Sequence, residues 1–243
     1  MNKNIVLQED EQLDDLQLNG LMLIQNKNLY CFTSDAVILA NFIKTKHTDI
    51  YVDFCAGNGI IPILVNEKQH PIKTYGIEIQ SCMACLFEKN IKLNEVEDKI
   101  FVIHDRVQNV KNYFEAESVD VVSCNPPYVK ENNLAQNSSE CVTIARHEVE
   151  LNLQEMARSA STILKHGGKF YLVHLAERLT EIITTLIDYK LMPKKIFFTH
   201  SLDNKNAKLV VLEAVKNGKS GVTILPPLIT NNLDGSYKHN NFR

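Results

Sequence analysis

The residues with the clearest chemical capacity are Asn125-Pro126-Pro127-Tyr128, placed directly after the apolar run Val119-Asp120-Val121-Val122-Ser123-Cys124. Two prolines cannot continue a strand ladder, and each pushes the residue before it into extended geometry. The result is a stiff shelf at the end of a strand. A simple turn accounts for the prolines but not for the amide and the aromatic ring that flank them. An aromatic amine is a poor nucleophile because its lone pair is delocalised into its ring. Two acceptors aimed at its N–H bonds favour a pyramidal nitrogen with an available pair. The Asn125 side-chain oxygen is one such acceptor, and the Pro126 carbonyl, held by Pro127, is the other. Tyr128 offers a face on which a base can stack, worth about 1–3 kcal/mol. The chemistry implied is alkylation of an exocyclic amine on a planar substrate, in which positioning does most of the work. No dedicated general base is needed while the amine is neutral.

A second constellation lies upstream. Val52-Asp53-Phe54-Cys55-Ala56-Gly57-Asn58-Gly59-Ile60-Ile61 ends an apolar run with glycines that let the backbone approach a ligand. The spacing is not that of a dinucleotide fingerprint. It is closer to Asp-x-Gly-x-Gly-x-Gly, with Cys55 at the first glycine position. A left-handed backbone would cost a cysteine roughly 1–2 kcal/mol, so ordinary φ is expected at Cys55 and the turn at Gly57 to Gly59. Glu78 ends the next apolar run about 20 residues on, where a carboxylate reaches ribose hydroxyls. Loop and acid together point to a nucleoside-containing ligand. Asp105 follows a third run; it could accept from an adenine amino group or simply cap a helix.

These groups need a scaffold that brings strand ends together. Apolar runs at 50–54, 75–79, 100–103, 119–123 and 169–175 read as strands. Helical patterns at 59–68, 80–94 and 148–165 alternate with them, and a further helix is expected to end at Tyr189. Strands at 195–200 and 209–215 are close enough to pair antiparallel. The fold class is therefore α/β: a Rossmann-like seven-stranded sheet with an antiparallel edge strand. Before it, Asn19-Gly20 between apolar runs signals a hairpin. Residues 29–32 could add a strand, and Thr33 or Ser34 can cap a helix through Ile43. The chain divides into an N-terminal hairpin and helix (1–46), a catalytic core (47–225) and a tail (226–243), all in one domain.

In these motifs the chain resembles the class I S-adenosylmethionine-dependent methyltransferases, and Asn-Pro-Pro-Tyr looks like their amino-group subclass. Within it the chain is most similar to the bacterial tRNA1(Val) adenine-N6-methyltransferases. The resemblance rests on the Asn19-Gly20 hairpin, Ser34-Asp35-Ala36, residues 53–59 and 125–128, Ala145-Arg146-His147-Glu148 and Lys208-Leu209-Val210. It implies a seven-stranded sheet, S-adenosylmethionine as cofactor and tRNA as partner, with the methyl sulfonium as electrophile. It implies that Asn125, Pro126, Pro127 and Tyr128 hold the target base. The cofactor set it implies is Ser34, Asp35, Asp53, Cys55, Ala56, Gly57, Gly59, Glu78, Ile79, Asp105 and Arg106.

Bulk properties are compatible with this reading. The chain has 243 residues, 44% of them hydrophobic, and a net charge of −3. Residues 166–243 carry 11 basic and 6 acidic side chains, and residues 1–165 carry 15 and 23. A basic part on an acidic body suits a polyanionic partner, or is an ordinary solvated surface. No membrane span or signal pattern is present. Six scattered cysteines suit reduced thiols and a cytoplasmic location. Cys82 and Cys85 form a lone Cys-x-x-Cys, so no metal site is expected. Lys190, Lys194 and Lys195 either meet an RNA backbone or line a solvated turn. Other readings are a glutamine-N5-methyltransferase of a release factor, a DNA adenine methyltransferase, and a non-catalytic RNA-binding module. The first normally carries a larger helical domain before the loop and the second a recognition domain.

Overall fold

A computed structural model describes residues 6–29, 31–128, 151–232 and 236. Cys141 and Arg146-His147-Glu148 lie outside the described residues, as does the start of the helix expected from residue 148.

The chain begins with β1 (Glu11–Asp15) and β2 (Met22–Asn26), an antiparallel hairpin whose register pairs Glu11 with Asn26 and Asp15 with Met22. Asn19 and Gly20 both take positive φ in its loop, at 48° and 77°. The first strand is the polar Glu-Gln-Leu-Asp-Asp segment rather than residues 16–18. Leu16 and Leu18 instead turn onto the core as loop residues. Residues 29–32 add no strand among those described. The helix α1 (Ser34–Phe42) follows, with Thr33 at its N-cap.

Alternation then sets in: β3 (Ile50–Phe54), α2 (Ile60–Gln69), β4 (Lys73–Glu78), α3 (Ser81–Leu93), β5 (Ile100–His104) and β6 (Val119–Cys124). After a 3₁₀ turn at Val107–Asn112 and the residues up to 150 come α4 (Leu153–Ile163), β7 (Leu164–Leu175), α5 (Leu179–Asp188), β8 (Leu191–His200) and β9 (Ala207–Lys216). A capping box between Asn152 and Glu155 fixes the start of α4. The short strands β10 (Thr223–Ile224) and β11 (Leu228–Ile229) both pair with β8.

The sheet order is β10-β8-β9-β7-β6-β3-β4-β5. Every neighbouring pair is parallel except those made by β9, which runs antiparallel to both β7 and β8. The reversed strand thus lies inside the sheet, one place in from the expected edge. Its composition explains this. Leu209 to Leu212 are all buried, as a strand covered on both faces requires.

Period-2 alternation sends side chains to two helical layers. Val52, Phe54, Phe170 and Leu172 join Met156, Ala160, Ile182 and Leu186 on the α4–α5 side. Tyr51, Tyr171 and Val173 join Leu39, Ile63, Phe87 and Ile91 on the α1–α3 side. From β3 the sheet grows one way through β4 and the other way through β6. The carboxyl ends of β3 and β6 therefore flank a switch point, where open α/β sheets place ligands. Among the described residues, no helix is long and apolar enough to cross a membrane.

Candidate active site

The glycine loop folds over the ends of β3 and β4. Ala56 N–H donates to the Ile77 carbonyl at 3.0 Å, and Gly57 N–H to Glu78 Oε2 at 2.8 Å. These bonds pull the chain sideways directly after Phe54, so the turn begins at Cys55. Its φ is 58°, not the ordinary value the sequence argument expected. Gly57 and Gly59 also take positive φ, at 58° and 88°. At Gly59 packing adds a second demand, because a Cβ would sit 1.9 Å from the Phe87 ring. Gly57 faces only Met83, at 3.5 Å.

Loop, strand ends and shelf converge on one cavity. Its wall includes Cys55, Ala56, Gly57, Glu78, Ile79, Asp105, Arg106, Asn125, Pro126, Pro127 and Tyr128. Four other residues of the sequence-derived cofactor set, Ser34, Asp35, Asp53 and Gly59, are not in that wall. The wall also contains Phe32, Thr33, Asn58, Gln80, Met83, Gln108 and Leu151, which the motifs did not single out. Of these, Asn58 had a sequence signal because it lies between the two loop glycines, and Thr33 was legible only as a helix cap.

Each acid has a distinct environment. Glu78 is buried and accepts from Gly57 N and, at 2.9 Å, from Gln80 N. Burial pushes its carboxyl up, and the backbone donors oppose that rise. Asp105 is occupied by neighbouring donors: Arg106 N and Asn109 Nδ2 donate to Oδ1, both at 2.7 Å, and the Tyr113 hydroxyl to Oδ2 at 2.8 Å. The Asn109 and Tyr113 hydrogen bonds lead in holding its carboxyl below the usual range. Asp53 lies beneath the loop, fully buried, and accepts from the Ser123 hydroxyl. Ser123 in turn meets the Tyr51 hydroxyl at 2.6 Å. Desolvation pushes Asp53 up to about 8, with neighbouring Glu78 adding to the rise.

The shelf is held by side chains that the motif does not contain. The Tyr128 hydroxyl lies 2.6 Å from Asp35 Oδ2 and also donates toward Asn125 Oδ1. The Tyr128 ring is tilted by 53° against buried His174, with centroids 5.2 Å apart. In this state the proposed amine acceptor of Asn125 already has a hydroxyl beside it. Cys124, the last residue before the shelf, is buried and hydrogen-bonded to Cys55, and burial raises its thiol well above the usual value.

Two features fit a nucleoside cofactor in this cavity. The wall mixes apolar surface, Ile79, Met83 and Val107, with the glycine loop and Glu78. It also contains two buried polar atoms, Asn58 Nδ2 and Gln80 Oε1, without a hydrogen-bond partner among the described residues. Such groups cost free energy until something pairs with them.

Comparison with known proteins agrees with this architecture. A family model describing the TRM5/TYW2 methyltransferase domain matches residues 38–143. The chain is 23% identical over 164 residues to a tRNA1(Val) (adenine(37)-N6)-methyltransferase of Porphyromonas gingivalis, a match covering 67% of this chain and 64% of that protein. It is 23% identical over 212 residues to the Dyadobacter fermentans protein of the same name, covering 86% of each chain. Among solved structures it is similar to a predicted O-methyltransferase, Atu636, from Agrobacterium tumefaciens. That match has a TM-score of 0.67 and 20% identity, over 84% of this chain and 92% of the other. It is also similar to the P. horikoshii TYW2 complex with MeSAdo, with a TM-score of 0.60 and 15% identity over 87% and 73%.

Sheet order, glycine loop and shelf together are those of the class I S-adenosylmethionine-dependent methyltransferase fold. Within that class the chain is similar to the bacterial tRNA1(Val) adenine(37)-N6-methyltransferases.

Proposed function

We propose that the protein methylates the exocyclic N6 of an adenine in tRNA, at the nucleotide its relatives are named for, and that it works in the cytoplasm. The observation that carries this reading is that the shelf of Asn125 to Tyr128 and the glycine loop with Glu78 share one cavity wall. A planar amine and a nucleoside cofactor can therefore meet there without rearrangement of the sheet.

Gly57, Glu78 and Ile79 would hold the cofactor, with Asn58 Nδ2 and Gln80 Oε1 offering the donor and acceptor that lack partners. Bound there, S-adenosylmethionine supplies an electrophilic methyl group on a cationic sulfur. Asn125 Oδ1 and the Pro126 carbonyl accept the two amine N–H bonds and orient the nitrogen lone pair toward the methyl carbon. Tyr128 and the shelf it belongs to keep water from the amine face. Transfer would form the new C–N bond as the methyl–sulfur bond breaks, leaving a neutral thioether, and the amine proton, acidic once the nitrogen is alkylated, would leave through these acceptors to solvent. Fixing both reactants in this way is the chain's main contribution.

Transfer from labelled cofactor to unmodified tRNA, followed by nucleoside mass spectrometry, tests the reading. Asn125→Ala is expected to lower transfer at least about 100-fold while cofactor affinity, measured by calorimetry, stays within about twofold. Loss of cofactor affinity in that variant would move Asn125 out of the substrate shelf.

A further inference from the structure

The Asp35 carboxylate sits in the first turn of α1, 93 residues from Tyr128 in the chain, and is 4% exposed. Its two oxygens are divided. Oδ1 accepts from the Thr33 hydroxyl and from Ala36 N, the latter at 2.9 Å. Oδ2 accepts from the Tyr128 hydroxyl at 2.6 Å. Asp35 itself is not in the cavity wall; it touches the wall through Thr33 and Ala36 at Oδ1 and through Tyr128 at Oδ2.

A phenol has a single proton. Two oxygens compete for the Tyr128 proton, Asp35 Oδ2 and Asn125 Oδ1. If the proton goes to Asn125, it takes one of the two lone pairs of the oxygen that a substrate amine requires and holds a hydroxyl beside it. If it goes to Asp35, that acceptor is released. A charged carboxylate is a much better acceptor than an amide oxygen, and the bond it accepts is roughly twice as strong.

We propose that Asp35 is a positioning residue: it draws the Tyr128 hydroxyl away from Asn125 and so frees the Asn125 oxygen to accept the substrate amine. This rests on the methyl-transfer reading above. It gives the N-terminal extension a part in the reaction. Helix α1 presents the carboxylate, and the shelf that follows β6 presents the two residues it sorts. His174 packs against the same ring, so Tyr128 is fixed at both its face and its hydroxyl.

The substitution Asp35→Asn isolates the effect. It keeps Oδ1, with its bonds from Thr33 and Ala36, and replaces only Oδ2 by a donor. The Tyr128 proton must then go to Asn125. Methyl transfer is expected to fall about tenfold or more in kcat, with cofactor affinity measured by calorimetry unchanged. In a Tyr128→Phe background there is no proton to misdirect, and Asp35→Asn is expected to cause no further loss. A merely structural role would cost the same in both backgrounds.

Tyrosine labelled with carbon-13 at Cζ provides a readout that needs no substrate. The resonance lost in Tyr128→Phe is that of Tyr128, and Asp35→Asn is expected to move it in the wild-type background. An unmoved resonance, an equal loss of transfer in both backgrounds, or weakened cofactor binding by Asp35→Asn would each overturn the proposal. If the wild-type protein transfers no methyl group to tRNA, the functional reading fails, and the resonance still decides whether Asp35 holds Tyr128.

Discussion

Cys55 shows how a single backbone angle can escape a sequence argument. A non-glycine residue avoids positive φ when it has a choice, and cysteine was expected to do so. Here the bonds from Ala56 N and Gly57 N to the end of β4 remove the choice, and φ is 58°. Cys55→Val is therefore expected to destabilise the protein by about 1–3 kcal/mol, since a β-branched residue tolerates that conformation least. Cys55→Gly should be tolerated or mildly stabilising. Urea unfolding of both variants checks the pair, and equal effects would place the strain elsewhere. Asp53 was legible as an important acid, but its depth was not. It is buried under the loop, with Oδ2 lacking a partner among the described residues. Its folded-state value of about 8 lies above the ordinary 3.8. Between those values the native state holds a proton that the unfolded chain releases. The stability contributed by that proton is full below about pH 4 and is lost as the pH rises toward 8. Glu78 is raised too and acts in the same direction. Asp53→Asn should flatten much of this slope, giving a gain on the order of a few kcal/mol at pH 8 and little at pH 4. Unfolding free energies at the two pH values measure it, and an unchanged slope would contradict the burial argument.

The elements were easier to read than their junctions. Runs such as Ile50–Phe54 and Val119–Cys124 are buried parallel strands, and nearly continuous apolar sequence is their signature. The strand β1 is polar and was missed because, among the described residues, only one edge of it is paired, to β2. What fixes that hairpin is also invisible in local pattern. Asn90 on α3 and Asn94 at its C-cap lie one turn apart and face the backbone of β2. Asn90 accepts from Ile24 N at 2.6 Å and donates to the Ile24 carbonyl at 3.0 Å. Asn94 does the same with Met22, at 3.0 and 2.8 Å. Two side-chain amides thus imitate a neighbouring strand. Asn90 also donates to the Asn58 carbonyl at 2.9 Å, tying the hairpin to the glycine loop. Asn90→Ala leaves buried backbone groups of β2 without partners and should cost about 2–4 kcal/mol. It should also weaken cofactor binding severalfold. Denaturant unfolding with calorimetry tests both, and a loss of stability with unchanged affinity would uncouple hairpin from loop.

At the scale of the molecule, the sheet and the two motifs were readable because each is a contiguous segment with a strong local rule. Sheet order was less so, because position in a sheet depends on which faces are covered. The reversed strand β9 is interior for that reason. The Asp35–Tyr128 contact joins residues 93 positions apart, and no spacing rule connects them. The basic C-terminal part is less available to a polyanion than its composition suggests. Lys195 pairs with Glu213 at 3.3 Å, and Lys194 donates to the Lys219 carbonyl. Charge therefore argues for tRNA less strongly than the shelf does. The measurement that bears most directly on the central claim is mass spectrometry of nucleosides from unmodified tRNA incubated with the protein and S-adenosylmethionine. The account predicts N6-methyladenosine with wild-type protein and at least about 100-fold slower formation with Asn125→Ala. Folded, cofactor-binding protein that leaves every adenine unmodified would contradict it.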